Sequence, residues 1–335
     1  MLNSKKIVVS GYYGFKNFGD EAILSVLVNK LQESHKKITI ITSDRQYTFS
    51  KFGNVKTIQT FDMKSIVLEI LNSDMLISGG GSLLQDVTSV KSLFYYLFVI
   101  FCGILFGKKV VIFAQGIGPI NNKYGKLLTK YLLKLCYKIT VRDENSQNLL
   151  NFWGIKSELV NDPVFSYKIP VVEKEEVVGV QLRAFNTLSD EYLQNLANLV
   201  ARNFSDKKIE IYSFQKELDL ETCKKFKTYL LNENKNIKVE LFQNLTDSKI
   251  ISQFARLKYL IGMRYHSLII GLKAGCKILA INYDIKVENL AKEFSIPMLN
   301  LEDLEEETFN KIHEVNTVQI QDKLKAKEFD WHIFL

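Results

Sequence analysis

Short, almost purely apolar runs alternate with longer amphipathic stretches along nearly the whole chain, and this alternation restricts the fold more than any other feature. In the first half the apolar runs are residues 7–10, 38–42, 75–78, 110–114 and 138–141. They lack the in–out alternation of a strand with one wet face. They therefore read as strands of a parallel sheet covered on both sides. Helix-like stretches lie between them at 22–34, 63–72, 92–106, 125–136 and 144–152. A second series follows, with strands predicted at 177–182, 209–214, 239–242, 259–262 and 278–282. Its helices are predicted near 189–203, 218–231, 248–255, 267–274 and 287–293. The pattern predicts an α/β chain with two Rossmann-like halves.

The two series join at NDPVFSYKIPVVEKEE, residues 161–176, which holds two of the four prolines and then a charge run. A domain boundary is expected there, giving an N-terminal domain 1–167 and a C-terminal domain 168–335. The second domain ends in helical patterns at 301–313 and 318–329. Two such domains are expected to face a cleft. In open α/β sheets ligands bind outside the carboxyl ends of the strands, so the residues just past each strand carry the functional argument.

Bulk properties narrow the function only modestly. The composition, 47% hydrophobic and 24% charged over 335 residues, is ordinary for a globular protein. A net charge of +7 suits anionic small ligands, an anionic membrane surface or nucleic acid without choosing among them. Only six of the 44 basic residues are arginine, at 45, 142, 183, 202, 256 and 264. A scarce arginine beside a strand end is a candidate for planar recognition of carboxylate or phosphate. Cys102, Cys136, Cys223 and Cys276 form no CxxC pair and read as reduced core residues of a cytoplasmic protein. The N-terminal segment reads as a first strand rather than a signal peptide. Residues 93–106 are apolar throughout, yet too short for a spanning helix. They read as a buried or half-buried helix, with an interfacial helix at the inner face of the membrane as the alternative.

Several strand ends carry unusual residues. GYYGFKNFGDE (11–21) follows the first strand and resembles a phosphate cradle, but Asp20 and Glu21 sit where the positive end of the next helix would favour an anion. Its spacing matches neither GxGxxG nor a Walker loop. Asp20 either caps that helix or, with Glu21, binds or deprotonates a sugar hydroxyl. SGGGSLLQD (78–86) offers backbone amides as a nest or forms a strained turn, and AQGIGPI (114–120) ends the next strand in the same manner. VRDENS (141–146) reads as a structural pair of Arg142 with an acidic residue. In MRYHSLI (263–269), Arg264 and His266 lie between a strand and an apolar helix, with Ser267 as a plausible cap. This arrangement gives an anion site with one titratable proton donor, or else a packed structural histidine. Arg183 ends a strand of the same half and can join Arg264. The other histidines, His35, His313 and His332, read as surface residues.

GYYGFKNFGDEAIL, GGGSLLQD, AQGIGP, VRDENS, NDPVF and MRYHSLI occur in this order. Together they resemble the polysaccharide pyruvyl transferase family, and within it the bacterial branch that acts on secondary cell-wall polymers anchoring S-layer proteins. The resemblance spans about residues 7–300. It implies a GT-B-like fold, phosphoenolpyruvate as co-substrate with no cofactor, and a pyruvate ketal on a sugar as product. It implies that Arg264 and His266, as the family's Arg-x-His, contact the donor; the reading of the strand ends adds Arg183 and Ser267 as donor contacts and takes His266 as the acid. Asp20 or Glu21 would assist the acceptor, which Asn17, Gly19, Gly80, Gly81 and Gln115 would line. A glycan acceptor, lipid-linked or free, is expected, with no metal and no nucleic-acid partner. A nucleotide-sugar glycosyltransferase of the same architecture, and a non-enzymatic subunit binding a glycan lipid at the membrane surface, are the competing expectations.

Overall fold

The structure, a computed structural model, describes residues 6–34 and 36–334; His35 lies outside them. The chain forms two compact units, residues 1–166 with 328–335 and residues 167–327.

In the first unit strands and helices alternate as β1 (Lys6–Ser10), α1 (Phe18–Glu33), β2 (Lys37–Thr42), α2 (Arg45–Phe52), β3 (Lys56–Gln59), α3 (Met63–Leu71) and β4 (Met75–Gly79). They continue as α4 (Val90–Leu105), β5 (Lys109–Gln115), α5 (Lys123–Lys134), β6 (Lys138–Val141), α6 (Glu144–Phe152) and β7 (Glu158–Leu159). The sheet order is β3-β2-β1-β4-β5-β6-β7, parallel throughout. β1, β4 and β5 are buried over almost every residue, as their apolar composition requires.

The second unit repeats the plan with β8 (Glu175–Gln181), α7 (Asp190–Asn203), β9 (Lys208–Tyr212), α8 (Lys216–Glu233), β10 (Val239–Phe242) and α9 (Asp247–Arg256). β11 (Leu257–Gly262), α10 (Tyr265–Ala274), β12 (Lys277–Asn282), α11 (Ile285–Phe294) and β13 (Met298–Asn300) complete it. Its parallel order is β10-β9-β8-β11-β12-β13. Both sheets therefore have the doubly wound order in which the first strand lies beside the fourth. The winding direction reverses at that junction, and the rule for such sheets puts ligands there.

Three strands go beyond the sequence pattern: β3, β7 and β13 are short, and each lies at a sheet edge. Edge strands bury little, so no long apolar run announces them. The two helical patterns near the C-terminus resolve into α12 (Glu306–Asn310), a 3₁₀ turn at Lys311–Glu314 and α13 (Thr317–Leu324). The last segment, including α14 (Trp331–Phe334), falls in the first unit. Phe329 and Trp331 pack on Phe113 of β5 with ring centroids 5.1 and 6.0 Å away, and the Phe329 amide donates to Ser166 Oγ at 2.8 Å.

Candidate functional site

In the first unit the reversal point lies between the ends of β1 and β4, where Ser10 pairs with Ser78. Tyr13 reaches from the loop after β1 and donates its hydroxyl to the Gly79 carbonyl at 2.5 Å. Burial, followed by the charge of Asp20, pushes the Tyr13 hydroxyl well above its ordinary range, so it remains a donor. Gly80 lies against that hydroxyl; a Cβ there would be 3.0 Å from Tyr13 Oη. Gly81 has φ +62°, and a Cβ there would lie 2.2 Å from Asp20 Oδ1. The Asp20 carboxylate thus rests directly on the triple-glycine turn, which is what the absence of side chains there permits. Gly81→Ala is expected to cost about 1–3 kcal/mol of unfolding free energy and to displace Asp20. Urea unfolding and the turnover of the same variant check both effects.

The cap of α1 is Asn17, whose side-chain carbonyl accepts from the Gly19 amide at 3.0 Å. Asp20 therefore has no capping role; it is the third helical residue, only 8% exposed. Glu21 is more deeply set. Its Oε1 accepts from the Gly14 amide at 2.7 Å, and its Oε2 pairs with Lys51 at 3.2 Å. Both oxygens hold the loop to the body of the unit. Asn17, Gly19 and Glu21 shape the loop. Gln115 is fully buried and donates to Ser78 Oγ at 3.0 Å, so it joins β5 to β4 instead of lining an open surface.

Two further motifs brace the same edge. Arg142 donates to Asp162 at 2.8 Å, with both side chains nearly sequestered from water. Its partner comes from NDPVF, twenty residues on, because Asp143 is occupied as the cap of α6. Asp86 accepts from the amides of Asn121 and Asn122 at 2.8 and 2.6 Å. These donors hold its carboxyl below the usual range, so the tie is present at neutral pH and is lost only as acid protonates the group.

In the second unit the reversal point lies between β8 and β11. Arg264 occupies the N-cap position of α10 without a side-chain capping bond, and His266 is the second residue of that helix. The Arg264 guanidinium donates through Nε and Nη2 to the fully buried Asp219 at 2.9 and 2.6 Å. Asp219 Oδ2 also accepts from the amides of Phe214 and Gln215 at 2.9 Å. Gln181, the last residue of β8, accepts from the Arg264 amide at 2.7 Å. Ser267 is fully buried; its hydroxyl donates to the Arg264 carbonyl at 2.6 Å, so it stiffens the first turn and is neither cap nor exposed contact. His266 remains half-buried with its ring edge-on to Tyr265 at 5.3 Å. His313 and His332 are exposed.

Arg183 follows β8, yet its guanidinium donates to Tyr283 Oη at 3.2 Å and stacks on that ring at 4.9 Å. Tyr283 follows β12, and β11 runs between β8 and β12. The contact therefore passes over the carboxyl end of β11, where α10 begins. A helix N-terminus, Arg183, Arg264 and His266 gather at one strand end, and this set suits a small anion. A nearby cavity of about 350 Å³ is lined by Asp284, Glu288 and Glu302 besides Tyr283, and these carboxylates disfavour an anion in it.

Asp219, on α8, escapes a reading confined to strand ends, and Gln181, at the end of β8, was passed over there. Asp219 does leave a trace, since Asp219, Cys223, Phe226 and Leu230 fall on one buried stripe of α8. A carboxylate on such a stripe calls for a cationic partner.

Comparison with curated proteins finds no match. Solved structures share the architecture. UDP-GlcNAc 2-epimerase from Methanocaldococcus jannaschii aligns at 11% identity and TM-score 0.64, covering 97% of this chain and 94% of that one. The Anabaena protein HepE, in complex with UDP and glucose, aligns at 10% identity and TM-score 0.63 over 96% and 94%. A glycosyltransferase from Rickettsia africae aligns at 13% and TM-score 0.62 over 99% and 96%. At such identities the likeness concerns the fold alone, which is GT-B-like. Residues 17–285 match the family described as polysaccharide pyruvyl transferase, from the N-cap of α1 through the loops after β4, β5, β6, β8 and β11. With most of the chain inside that match, the protein belongs to the polysaccharide pyruvyl transferase family.

Proposed function

We propose that the protein transfers pyruvate from phosphoenolpyruvate to a sugar of a cell-wall polysaccharide precursor, forming a ketal and releasing phosphate. N-acetylmannosamine in an S-layer-anchoring polymer is the acceptor we favour. The observation that carries the reading is the gathering of His266, Arg183 and the start of α10 at the end of β11. Phosphoenolpyruvate bears a carboxylate and a phosphate, and this group of residues supplies both positive charge and a proton donor.

In the proposed reaction His266 delivers a proton to the methylene carbon, which becomes a methyl group. The central carbon becomes electrophilic and takes the oxygen of a first acceptor hydroxyl, whose proton passes to a base. The bond from that carbon to the phosphate oxygen then breaks, and phosphate leaves with the electron pair. The helix N-terminus, Arg183 and Arg264 stabilise the departing charge. A second hydroxyl of the same sugar adds to the carbon and closes the ketal, its proton passing to the departed phosphate. Asp219 and Gln181 act through Arg264, fixing where α10 starts.

Arg183→Ala is expected to raise the donor KM about 10–100-fold, since a charge-assisted hydrogen bond is lost. Arg183→Lys is expected to recover only part of it, because an ammonium group does not present a planar fork. Steady-state kinetics with varied phosphoenolpyruvate measure both. The reaction itself is tested by incubating the protein with phosphoenolpyruvate and synthetic N-acetylmannosamine disaccharides, lipid-linked and free. Mass spectrometry would report an added pyruvate, and a phosphate assay the leaving group. Consumption of a nucleotide sugar with no phosphoenolpyruvate-dependent product would overturn the reading.

A further inference from the structure

The outer side of α4 leaves large apolar side chains in water. Phe94, Phe98, Phe101 and Leu105 are 38–61% exposed. On α5, Tyr124, Leu127 and Tyr131 repeat the arrangement, with Leu135 just past its end; these are 54–79% exposed. Each set has helical spacing and forms one stripe. The stripes are neighbours for a topological reason. β4, β5 and β6 are adjacent in chain order, and right-handed crossovers put α4 and α5 on the same face of the sheet. The two helices meet where a Cβ on Gly125 would lie 2.7 Å from Leu93 Cδ2, a closeness that glycine permits. Their inner sides are already occupied, with Leu93, Leu97, Ile100, Leu132 and Leu133 buried. The exposed stripes therefore form one outward apolar surface. A contiguous apolar surface of this kind marks a binding face.

Charge identifies the partner. Between Asp86 and Asp143 the sequence contains no acidic residue, eight lysines and Arg142. This stretch alone carries +9 against +7 for the whole chain, so the rest of the protein is net −2. Arg142 is buried with Asp162, but Lys91, Lys123, Lys126 and Lys134 are exposed on α4 and α5. Among the described residues none of these four is in an ion pair. A second copy docked here about a twofold axis would set lysines against lysines. No helix among the described residues is long and apolar enough to cross a membrane.

We infer that the α4–α5 face is a docking surface for an anionic lipid bilayer. The phenylalanine and leucine side chains enter the boundary between headgroups and acyl chains, the tyrosines sit at headgroup level, and the lysines contact lipid phosphates. The inference rests on exposure and charge and does not depend on the pyruvyl-transfer reading. The test is co-sedimentation of the full chain with vesicles of phosphatidylglycerol and phosphatidylcholine, and with phosphatidylcholine alone. Binding is expected only to the anionic vesicles, weakening several-fold as salt rises from about 0.1 to about 1 M. Combined Phe94→Ser, Phe98→Ser and Phe101→Ser is expected to weaken binding at least about tenfold. Combined Lys123→Gln, Lys126→Gln and Lys134→Gln is expected to weaken anionic-vesicle binding and reduce its salt dependence. Both variants should keep the thermal transition of the parent. The inference is overturned if the parent does not sediment with anionic vesicles, or if neither variant changes binding. A dimer in sedimentation velocity that the phenylalanine variant converts to monomer would also overturn it, since a second copy would then cover the face.

Discussion

His266→Ala is expected to lower kcat by about two to four orders of magnitude while donor affinity stays within a few-fold, the signature of a lost general acid. The expectation follows from the arrangement at the start of α10. In the proposed reaction, charge attraction for the donor is assigned to Arg183, Arg264 and the helix amides, none of which the substitution removes. His266 is half-buried in the first turn, and its side chain is the titratable group at that point. Phosphate release measured under saturating donor, together with calorimetric binding of phosphoenolpyruvate, separates the two effects. Turnover close to the parent would remove His266 from the role of acid. A collapse of donor affinity with little change in saturated turnover would make it a binding residue instead. His266→Gln retains hydrogen bonding without a transferable proton, so it should be as inactive as the alanine variant.

The second large effect concerns stability. Asp219→Ala is expected to destabilise the protein by about 3–5 kcal/mol, because it strands the Arg264 guanidinium with little access to water. The Arg264 side chain is 12% exposed and Asp219 is fully buried. The substitution also removes the acceptor of the Phe214 and Gln215 amides. Urea denaturation measures the loss. The double substitution Asp219→Leu with Arg264→Met is expected to recover most of that stability, since an apolar pair of similar volume is often no worse than a buried ion pair. It is not expected to recover turnover, because the start of α10 would lose the group that sets its geometry. If the double variant were both stable and active, Arg264 would have no part in the reaction.

The elements that the sequence marked most clearly are those buried on both faces. β1, β4, β5, β8, β11 and β12 each show a mostly apolar run because water reaches neither side of their central residues. β3, β7 and β13 left no comparable mark, since an edge strand needs few apolar residues. The site showed the same division. Glycine runs and an Arg-x-His at strand ends were visible because the chemistry of those residue types is local. The division of labour within each motif was not. Asn17 rather than Asp20 caps α1, Glu21 clamps Gly14 and Lys51, and Ser267 and Gln115 are buried inside the bracing.

The order of apolar runs and helical stretches was enough to determine two parallel α/β sheets, because periodicity and burial are properties of short segments. The ordered motifs were enough to indicate the family. Tertiary structure alone decided which charges are paired. Arg264 meets Asp219 across 45 residues, and Arg142 meets Asp162 across 20. It alone brought the chain end back to Phe113 and set two exposed apolar stripes side by side. The physical reason is the same in each case. Ion pairing, stacking and surface continuity depend on distances through space, which linear spacing does not encode once the chain has crossed from one strand to the next.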